Sequence, residues 1–472
     1  MTEPDYILPE LAKAIPSWNL VADCYAGQKA IIAKGEQYLP NPSPYNEDPA
    51  VRKKRYEDYQ KRAVYYNVVR RTAKALCGLV FSKYPTFTLP FPEIEHDVDG
   101  AGYQLVQQAR HAMLMVLLKG RGGLLADFPV TQGLTRAEMK SQNAKPVIRI
   151  YEPENIINWR TAFVDGRKKL TLMVLQEKAI KSDDGFKAEY EDQLLILRLR
   201  EGVAISQVAR KHNGSWVYDQ ENIIRDNSGR GFDVIPFTFF GADDNDETID
   251  DAPLYDLAEI NIAHYRDSAD YQESNFITAQ PSLFITGVTD TWYENVLKDN
   301  PIRLGSRTAN VLGVGANAFL LQPNAHNVLA EAMDKKESQM VSIGAKLIEP
   351  KSGNKTATEV ASDNADNASV LSSVANNLSD AYTVVLGFCG RYIGVVSDVV
   401  FTLNTRFDTA KMTTAERQQL IAEWQSGAIS WHEMRAKLVE DEIATLEDAD
   451  EAKEIIDAET STSMFKQQPA TV

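Results

Sequence analysis

The sequence predicts an α+β protein, in which helices and an antiparallel sheet occupy separate stretches of the chain. Apolar residues recur at three- and four-residue steps over about 48–82, as in a helix with one buried face. Short alternating or continuous apolar runs fill 123–210, as in antiparallel strands. From Pro253 to about Ile277 the pattern is that of one helix, roughly 37 Å long at ~1.5 Å per residue.

Length, charge and cysteine content bound the class of protein. A chain of 472 residues can hold two to four domains, and no apolar run is long enough to predict a transmembrane helix. The three cysteines lie far apart, which favours neither a disulfide framework nor a thiolate zinc site. A net charge of -16 disfavours tight duplex binding but is compatible with a conduit to which DNA must not adhere.

Turn and capping residues divide the first half of the chain. Residues 1–46 predict one helix and a proline-rich loop. Asp48 predicts an N-cap, with Pro49 at the first helical position, for a helix that continues to about 82. A further helix is predicted from about Gly102 to Lys119.

The second half continues with alternating strand and helix patterns. Strands and turns are predicted over 279–323 and a helix over 325–349. A long helical stretch over 356–393 should contain a kink or break, because Asp, Asn and Ser in its first half favour turns and caps. The pattern then predicts a strand returning to the sheet at 399–407 and a helical pair over 413–457. A turn at 427–430 joins the pair and supplies Ser430 as the N-cap of its second helix, and disorder is predicted after Glu459.

Motifs for catalysis or metal binding are missing from the sequence. The six histidines lack the local spacing of a zinc site, and the glycines near 120–123 and 313–316 lack the residues of a phosphate-binding loop. The acidic run 243–251 is more typical of a solvated loop than of a divalent-cation site, because it lacks the ligand spacing of a calcium loop. We therefore predict no catalytic residue, metal or cofactor.

One motif opens the long helix: Pro253, Leu254, Asp256, Leu257, Ala258, Asn261, His264, Tyr265, Ser268, Ala269 and Asp270. It resembles the signature P-L-x-D-L-A-x-x-N-x-x-H-Y of a subgroup of tailed-bacteriophage portal proteins, the head-to-tail connector rings. Blocks within 65–85, 120–129 and 151–160 are also similar to this subgroup.

The resemblance implies a portal-like division of the chain, with a wing of helices and antiparallel sheet, long stem helices, a small α/β clip, a kinked tunnel helix and a short helical crown. The implied segments are 1–249 for the N-terminal wing, 250–278 and 324–349 for the stem helices, 279–323 for the clip, 350–410 for the tunnel loop, kinked helix and returning wing strand, 411–458 for the crown, and 459–472 for a disordered tail.

The function implied by the resemblance is structural, not enzymatic. Twelve subunits would form a ring at one vertex of the virion capsid, assembled in the host cytoplasm with capsid or scaffolding protein. Double-stranded DNA would pass through without sequence specificity during packaging and ejection. The terminase large subunit and later a head-to-tail adaptor would dock on the ring, with no membrane involved.

Site residues are implied at three places. Leu254, Leu257, Asn261, His264 and Tyr265 would form the subunit interface of the stem. Lys346, Lys351 and Lys355 would face DNA around the tunnel loop, or serve only as solubilising lysines. Arg303 and Arg307 in the clip would meet an acidic partner, or cap turns.

Two other functions compete with this interpretation. A metal-dependent hydrolase of nucleic acid or phosphate esters would use carboxylates from separate segments, and it should bind Mg²⁺ or Mn²⁺ as a small oligomer. Another ring-forming head or tail protein would assemble similarly but lack the stem–clip–stem order.

Overall fold

A computed structural model describes residues 3–43, 47–128, 145–212, 214–279, 282–287, 289–292, 294, 315–321, 328–348, 369–395, 398–407, 414–440, 443–444, 446 and 448–465. The chain divides into two compact units, Met1–Thr405 and Arg406–Val472. The first contains helices and antiparallel sheets, which confirms the predicted α+β class. Within the described helices, no segment has both the length and the apolar character that crossing a membrane requires.

The helices of the first unit are α1 Pro9–Ala26, α2 Gln28–Ala33, α3 Pro49–Arg62, α4 Val68–Val80, α5 Leu105–Lys119, α6 Tyr255–Thr278, α7 Val328–Lys346 and α8 Val370–Ile393. Its strands are β1 Thr86–Thr88, β2 Arg121–Asp127, β3 Val147–Tyr151, β4 Ile156–Val164, β5 Arg167–Asp183, β6 Ala188–Arg200, β7 Val203–His212, β8 Ser215–Tyr218, β9 Asn222–Ile223, β10 Phe237–Gly241, β11 Ser282–Thr286, β12 Asn317–Leu321 and β13 Val400–Thr402.

The N-terminal region contains two helices where the sequence predicted one. Gly27 separates α1 from α2 with φ +90°, a backbone conformation that favours glycine. The carbonyl of Tyr25, at the end of α1, accepts hydrogen bonds from Asn67 Nδ2 (3.3 Å) and Arg70 Nε (2.7 Å). Side chains of α4 therefore satisfy this end of α1, and the two helices are tied together at the break.

The helix predicted over 48–82 is also divided. Asp48 caps α3 as predicted, accepting from the amide of Ala50 at 2.8 Å. The chain then becomes extended at Ala63, and Asn67 caps α4 by accepting from Arg70 N at 2.9 Å. The amide of Val64, freed by the break, donates to Ser268 Oγ at 3.3 Å, so a contact with α6 stabilises the interruption.

Antiparallel sheets fill the region predicted to contain them. Strands β4 to β8 form one sheet in sequence order, with β9 added beside β7, and β10, β2 and β3 form a second sheet. Gly122 and Gly123 of β2 leave room for the rings of Phe240 and Phe237, so these glycines are packing positions at a strand entry. The sequence lacks the residues of a phosphate-binding loop here, and in the structure the two glycines accommodate aromatic rings.

Helix α8 lies in the interior of the first unit and packs against α5, β2 and β10. Its Tyr382 hydroxyl donates to Gln108 Oε1 at 3.2 Å, and Gln108 Nε2 donates to Ile148 O at 2.9 Å. Ser369 caps the start of α8, which agrees with the predicted break before this half of the stretch. Residues 349–368, which include the first half, lie outside the described part of the chain.

Strand β13 differs from its prediction. It spans three residues and pairs with β1 in a separate two-stranded ladder, with Phe401 opposite Phe87, so it does not return to the large sheet. The two rings stack at a centroid distance of 6.2 Å, and this aromatic contact gives the short ladder its buried side.

The second unit contains three described helices where a pair was predicted: α9 Thr414–Gln425, α10 Trp431–Glu440 and α11 Ala449–Phe465. Ser430 caps α10 as predicted, and Glu433 Oε2 accepts from the amide of Ser430 in return. Helix α11 continues past Glu459, where disorder was predicted, and residues 466–472 lie outside the described part.

Candidate assembly surface

Helices α6 and α7 pack against each other and are joined in the chain by a segment that contains β11 and β12. His264 of α6 faces Glu337 of α7, and Asp267 faces Lys336, so the two helices are antiparallel. Strands β11 and β12 also pair antiparallel. The chain therefore runs out along one helix and returns along the other. We call α6 and α7 the helical pair.

The inner side of α6 is fixed by a buried hydrogen-bond network around Asn261. The hydroxyl of Tyr65 donates to Asn261 Oδ1 at 2.8 Å, and Asn261 Nδ2 donates to the carbonyl of Tyr66 at 2.8 Å. Burial raises the pKa of Tyr65, which keeps its hydroxyl protonated as a donor. An amide at this position can satisfy a donor and an acceptor of the 63–67 break at once.

Ionic contacts surround this buried network. Asp270 accepts from the Tyr59 hydroxyl at 2.5 Å, Glu273 accepts from Arg62 Nε at 2.9 Å, and Asp267 pairs with Lys336. These pairs join α6 to α3 on one side and to α7 on the other. Because they are partly exposed, they set the orientation of the helices more than they stabilise them.

The five residues predicted for the subunit interface are all buried by the same chain: Leu254, Leu257, Asn261, His264 and Tyr265. Their neighbours include α1, α3 and α4, which cover this side of α6. Here the five residues act as interior packing and hydrogen-bonding groups. A subunit contact through them stays an untested prediction, and it would require this side of α6 to be uncovered.

Apolar side chains elsewhere on the helical pair and its strands remain open to solvent. Val328 and Val341 of α7 are 69% and 71% exposed. Phe284 and Phe319 stack across β11 and β12 with a centroid distance of 5.6 Å, yet both are about half exposed. Among the residues of α7, Met340 is the buried one. The surface available to a neighbouring molecule is therefore on α7 and the strand pair, away from the predicted five residues.

The predicted basic positions are mostly outside the described part of the chain. Lys346 is exposed in the last turn of α7, a favourable position for a cation because the helix C-terminus carries partial negative charge. Lys351, Lys355, Arg303 and Arg307 lie in stretches that the structure does not describe. The lysine girdle and the clip docking site therefore stay predictions.

The acidic run 243–251 is organised by Arg121, a residue whose role the sequence did not reveal. The Arg121 guanidinium is buried and lies over the rings of Trp159 and Phe239, at 4.9 and 4.2 Å. It donates to the carbonyls of Glu247 (3.1 Å) and Thr248 (2.9 Å). Burial lowers its pKa to about 10, so it remains a cation at neutral pH. The sequence shows an arginine flanked by glycines, far along the chain from the acidic run, so no local pattern joins the two.

A cavity of about 600 Å³ lies between the two sheets and the side chain of Tyr392. Part of its charged lining is internally paired: Arg149 contacts Asp127 at 3.1 Å and Glu177 at 3.1 Å, and Glu177 accepts from the Tyr151 hydroxyl at 2.5 Å. Among the residues described, no group of three His, Cys, Asp or Glu side chains could hold a metal ion. The arrangement is that of a structural ion-pair network beside an open cleft.

Residues 253–393 match the family described as a domain of unknown function, DUF4055. This match begins at the signature proline and ends with α8, so it spans the helical pair and less than a third of the chain. No curated protein matches.

Solved structures similar to this chain come from gene transfer agent (GTA) particles. One, from the virion of a native particle, is 14% identical over 87% of this chain and 98% of that one, with a TM-score of 0.41. A chain from the neck of a native particle with C12 symmetry is 15% identical over 79% and 89%, with a TM-score of 0.41. One from the neck of an empty particle with C6 symmetry is 15% identical over 84% and 94%, with a TM-score of 0.42. TM-scores below 0.5 do not establish a shared fold.

Proposed function

We propose that this chain is the portal subunit of a phage-like particle. Copies of it form a ring, of twelve subunits by the resemblance, at one capsid vertex, and double-stranded DNA passes through the centre during packaging and ejection. The terminase large subunit and a head-to-tail adaptor would dock on the ring, and capsid or scaffolding protein would surround it.

The observation that carries this proposal is the helical pair. It begins with the portal-like signature at Pro253, runs out along α6, turns through β11 and β12, and returns along α7. This course supports the stem–clip–stem order by which, under the proposal, a portal differs from other ring-forming head and tail proteins. Its returning helix carries the exposed residues Val328 and Val341, which lie on different flanks of α7, and neighbouring subunits would cover these flanks.

A ring requires two different surfaces on each subunit, because head-to-tail contacts repeat around a closed circle. Stable interfaces of this kind bury about 800 Å² or more per partner. The exposed side of α7 and the strand pair β11–β12 would provide part of one such surface. The net charge of -16 per chain favours a channel that DNA crosses without adhering.

Negative-stain electron microscopy of the purified full chain tests the proposal. We expect end-on views of rings of about twelve subunits with a central hole of roughly 20 Å or more, wide enough for a duplex, whose major groove alone is about 12 Å across. Monomers or small compact oligomers under all conditions, including with co-expressed capsid or scaffolding protein, would contradict it. Turnover of a phosphate ester with Mg²⁺ or Mn²⁺ by such a small oligomer would favour a hydrolase.

A further inference from the structure

A two-stranded ribbon extends beyond the large sheet. Strand β4 pairs with β5 only over 167–175, and β7 pairs with β6 only from Gln193 onward. Beyond the last residues that pair with β4 and β7, β5 and β6 continue to pair with each other as far as Asp183 and Ala188. Within the described strands, residues 176–192 therefore form a ribbon flanked by neither β4 nor β7. We call this ribbon the β-arm.

The β-arm carries apolar side chains that the chain itself leaves uncovered. Phe186, in the turn at its tip, is fully exposed, and Ile180 and Tyr190, which face each other across the two strands, are 60% and 61% exposed. Ion pairs such as Lys178–Asp192 and Lys187–Glu189 also lie along the ribbon. Such charges discourage the addition of another strand to the edge of the ribbon. A partner would therefore contact the apolar side chains at the tip and on the face of the ribbon.

The cleft of about 600 Å³ lies at the base of the same β-arm. Glu177 and Gln193, the residues at the base, line the cleft together with apolar side chains, which include Leu195, Leu197, Ile224, Pro236 and Tyr392. Phe186 is nine residues beyond Glu177, about 30 Å along a strand. The tip of the β-arm therefore cannot enter the cleft at its own base, and a tip that fills such a cleft must come from another molecule.

We propose that the β-arm of one copy inserts Phe186 into the basal cleft of the adjacent copy in the ring. The occupant is a second copy because the exposed surface of the three apolar side chains is on the order of 400 Å², about half of what one partner contributes to a stable interface. A contact of that size is too weak for a free partner but adequate where a ring holds the two copies together. This inference rests on the proposed ring assembly.

The placement of the arm and the cleft on one chain agrees with this pairing. The arm and the cleft are different surfaces of one chain, so repeating the contact from copy to copy produces the head-to-tail arrangement that a closed ring needs.

Cross-linking of mixed rings tests the contact. Chains carrying Phe186→Cys are assembled with chains carrying Ser206→Cys, a residue that lines the cleft, and treated with a short bismaleimide. Burial raises the pKa of Cys24 and Cys77 to about 12, which suppresses reaction of these native thiols. We expect cross-linked dimers only in the mixture. The matched control replaces Phe186→Cys with Phe163→Cys, at another hairpin end where the ring is 81% exposed, and it should give none.

A second measurement separates this contact from the ring itself. Phe186→Ser should raise the protomer concentration at half assembly about tenfold or more, which corresponds to loss of one buried aromatic contact, while Phe163→Ser should leave it unchanged. Rings seen by electron microscopy with neither the cross-link nor the shift would overturn the β-arm contact and leave the portal proposal intact. Absence of rings from the unmodified chain under all conditions, including co-expression with capsid or scaffolding protein, would overturn both.

Discussion

At the scale of single residues, Asn261 shows how the signature of the long helix is used. Its amide bridges the hydroxyl of Tyr65 and the carbonyl of Tyr66, two groups in the break between α3 and α4. A leucine there could not satisfy either group. This polar position in the buried face of α6 is therefore explained by a hydroxyl and a backbone carbonyl that lie outside the helix.

Asn261→Ala should lower the free energy of unfolding by about 1–3 kcal/mol, because the carbonyl of Tyr66 would lose its donor in a buried site. The Tyr65 hydroxyl would retain the carbonyl of Cys24, at 3.2 Å, as an acceptor. Urea denaturation followed by circular dichroism measures the change. Asn275→Ala, at an exposed position of the same helix, is the control and should stay within about 0.5 kcal/mol. Equal effects of the two variants would show that the network contributes nothing specific.

At the scale of secondary-structure elements, the junctions between helices restrict which residues are tolerated more than the helices do. Gly27 is a clear example, because a Cβ added there would lie 2.6 Å from Asn67 Nδ2 and the backbone has a positive φ. The side chain that caps α4 thus also restricts the residue that ends α1.

Gly27→Ala should destabilise the chain by about 1–3 kcal/mol, the cost for a residue with a Cβ of a positive-φ, extended-ψ backbone that only glycine adopts readily, with the close contact to Asn67 in addition. Thermal unfolding of this variant and of a control glycine variant measures the effect. Gly78→Ala is the matched control, because Gly78 is an exposed position in α4 with nothing within 4 Å of an added Cβ. Helix propensity predicts that this variant is stabilised by up to about 1 kcal/mol. A stable Gly27→Ala variant would contradict the packing described at this junction.

The exposed valines of the helical pair lead to a prediction about ring assembly. Val328→Asp combined with Val341→Asp should prevent or strongly weaken ring assembly, because charges would replace the exposed apolar side chains on α7. The fold should survive, since both positions face solvent in the single chain. Analytical ultracentrifugation measures assembly, and circular dichroism measures folding.

The control for this pair is Val51→Asp on α3, a half-exposed valine in a helix outside the pair. It should assemble normally. Normal assembly of the α7 variant would exclude both of these positions from the subunit interface. Leu257→Asp is a poor probe of assembly, because that side chain is fully buried and an unpaired carboxylate there would disrupt the fold before any ring could form.

At the scale of the whole molecule, net charge predicts how strongly the proposed ring would bind DNA. With a net charge of -16 per chain, a ring repels phosphate overall, so a duplex should pass without being held. Fluorescence anisotropy with a labelled duplex should show no binding tighter than about 100 µM at ~150 mM salt, the weak end of non-specific binding. Submicromolar affinity at that salt concentration would contradict a passive conduit and indicate a dedicated DNA-binding surface.

Much of the secondary structure could be predicted because it depends on local signals. The N-caps Asp48 and Ser430 and the period of α6 are such signals, and the structure confirms each of them. The breaks at Gly27 and Ala63 were missed, because they are stabilised by Asn67, Arg70 and Ser268, which are distant in sequence or in another helix. The candidate interface residues were chosen from one face of α6, and periodicity identifies a buried face without saying what buries it.

The sequence by itself therefore determined the α+β class, the order of the main elements, the portal-like signature and the acidic charge, all of which are properties of composition and short-range spacing. Only the tertiary structure decided that Leu257 and Tyr265 face their own chain, that Arg121 organises the acidic run, and that Phe186 and Val341 are among the apolar groups left exposed. The physical reason is that burial depends on which surfaces meet, and those surfaces are brought together by contacts between residues far apart in the chain.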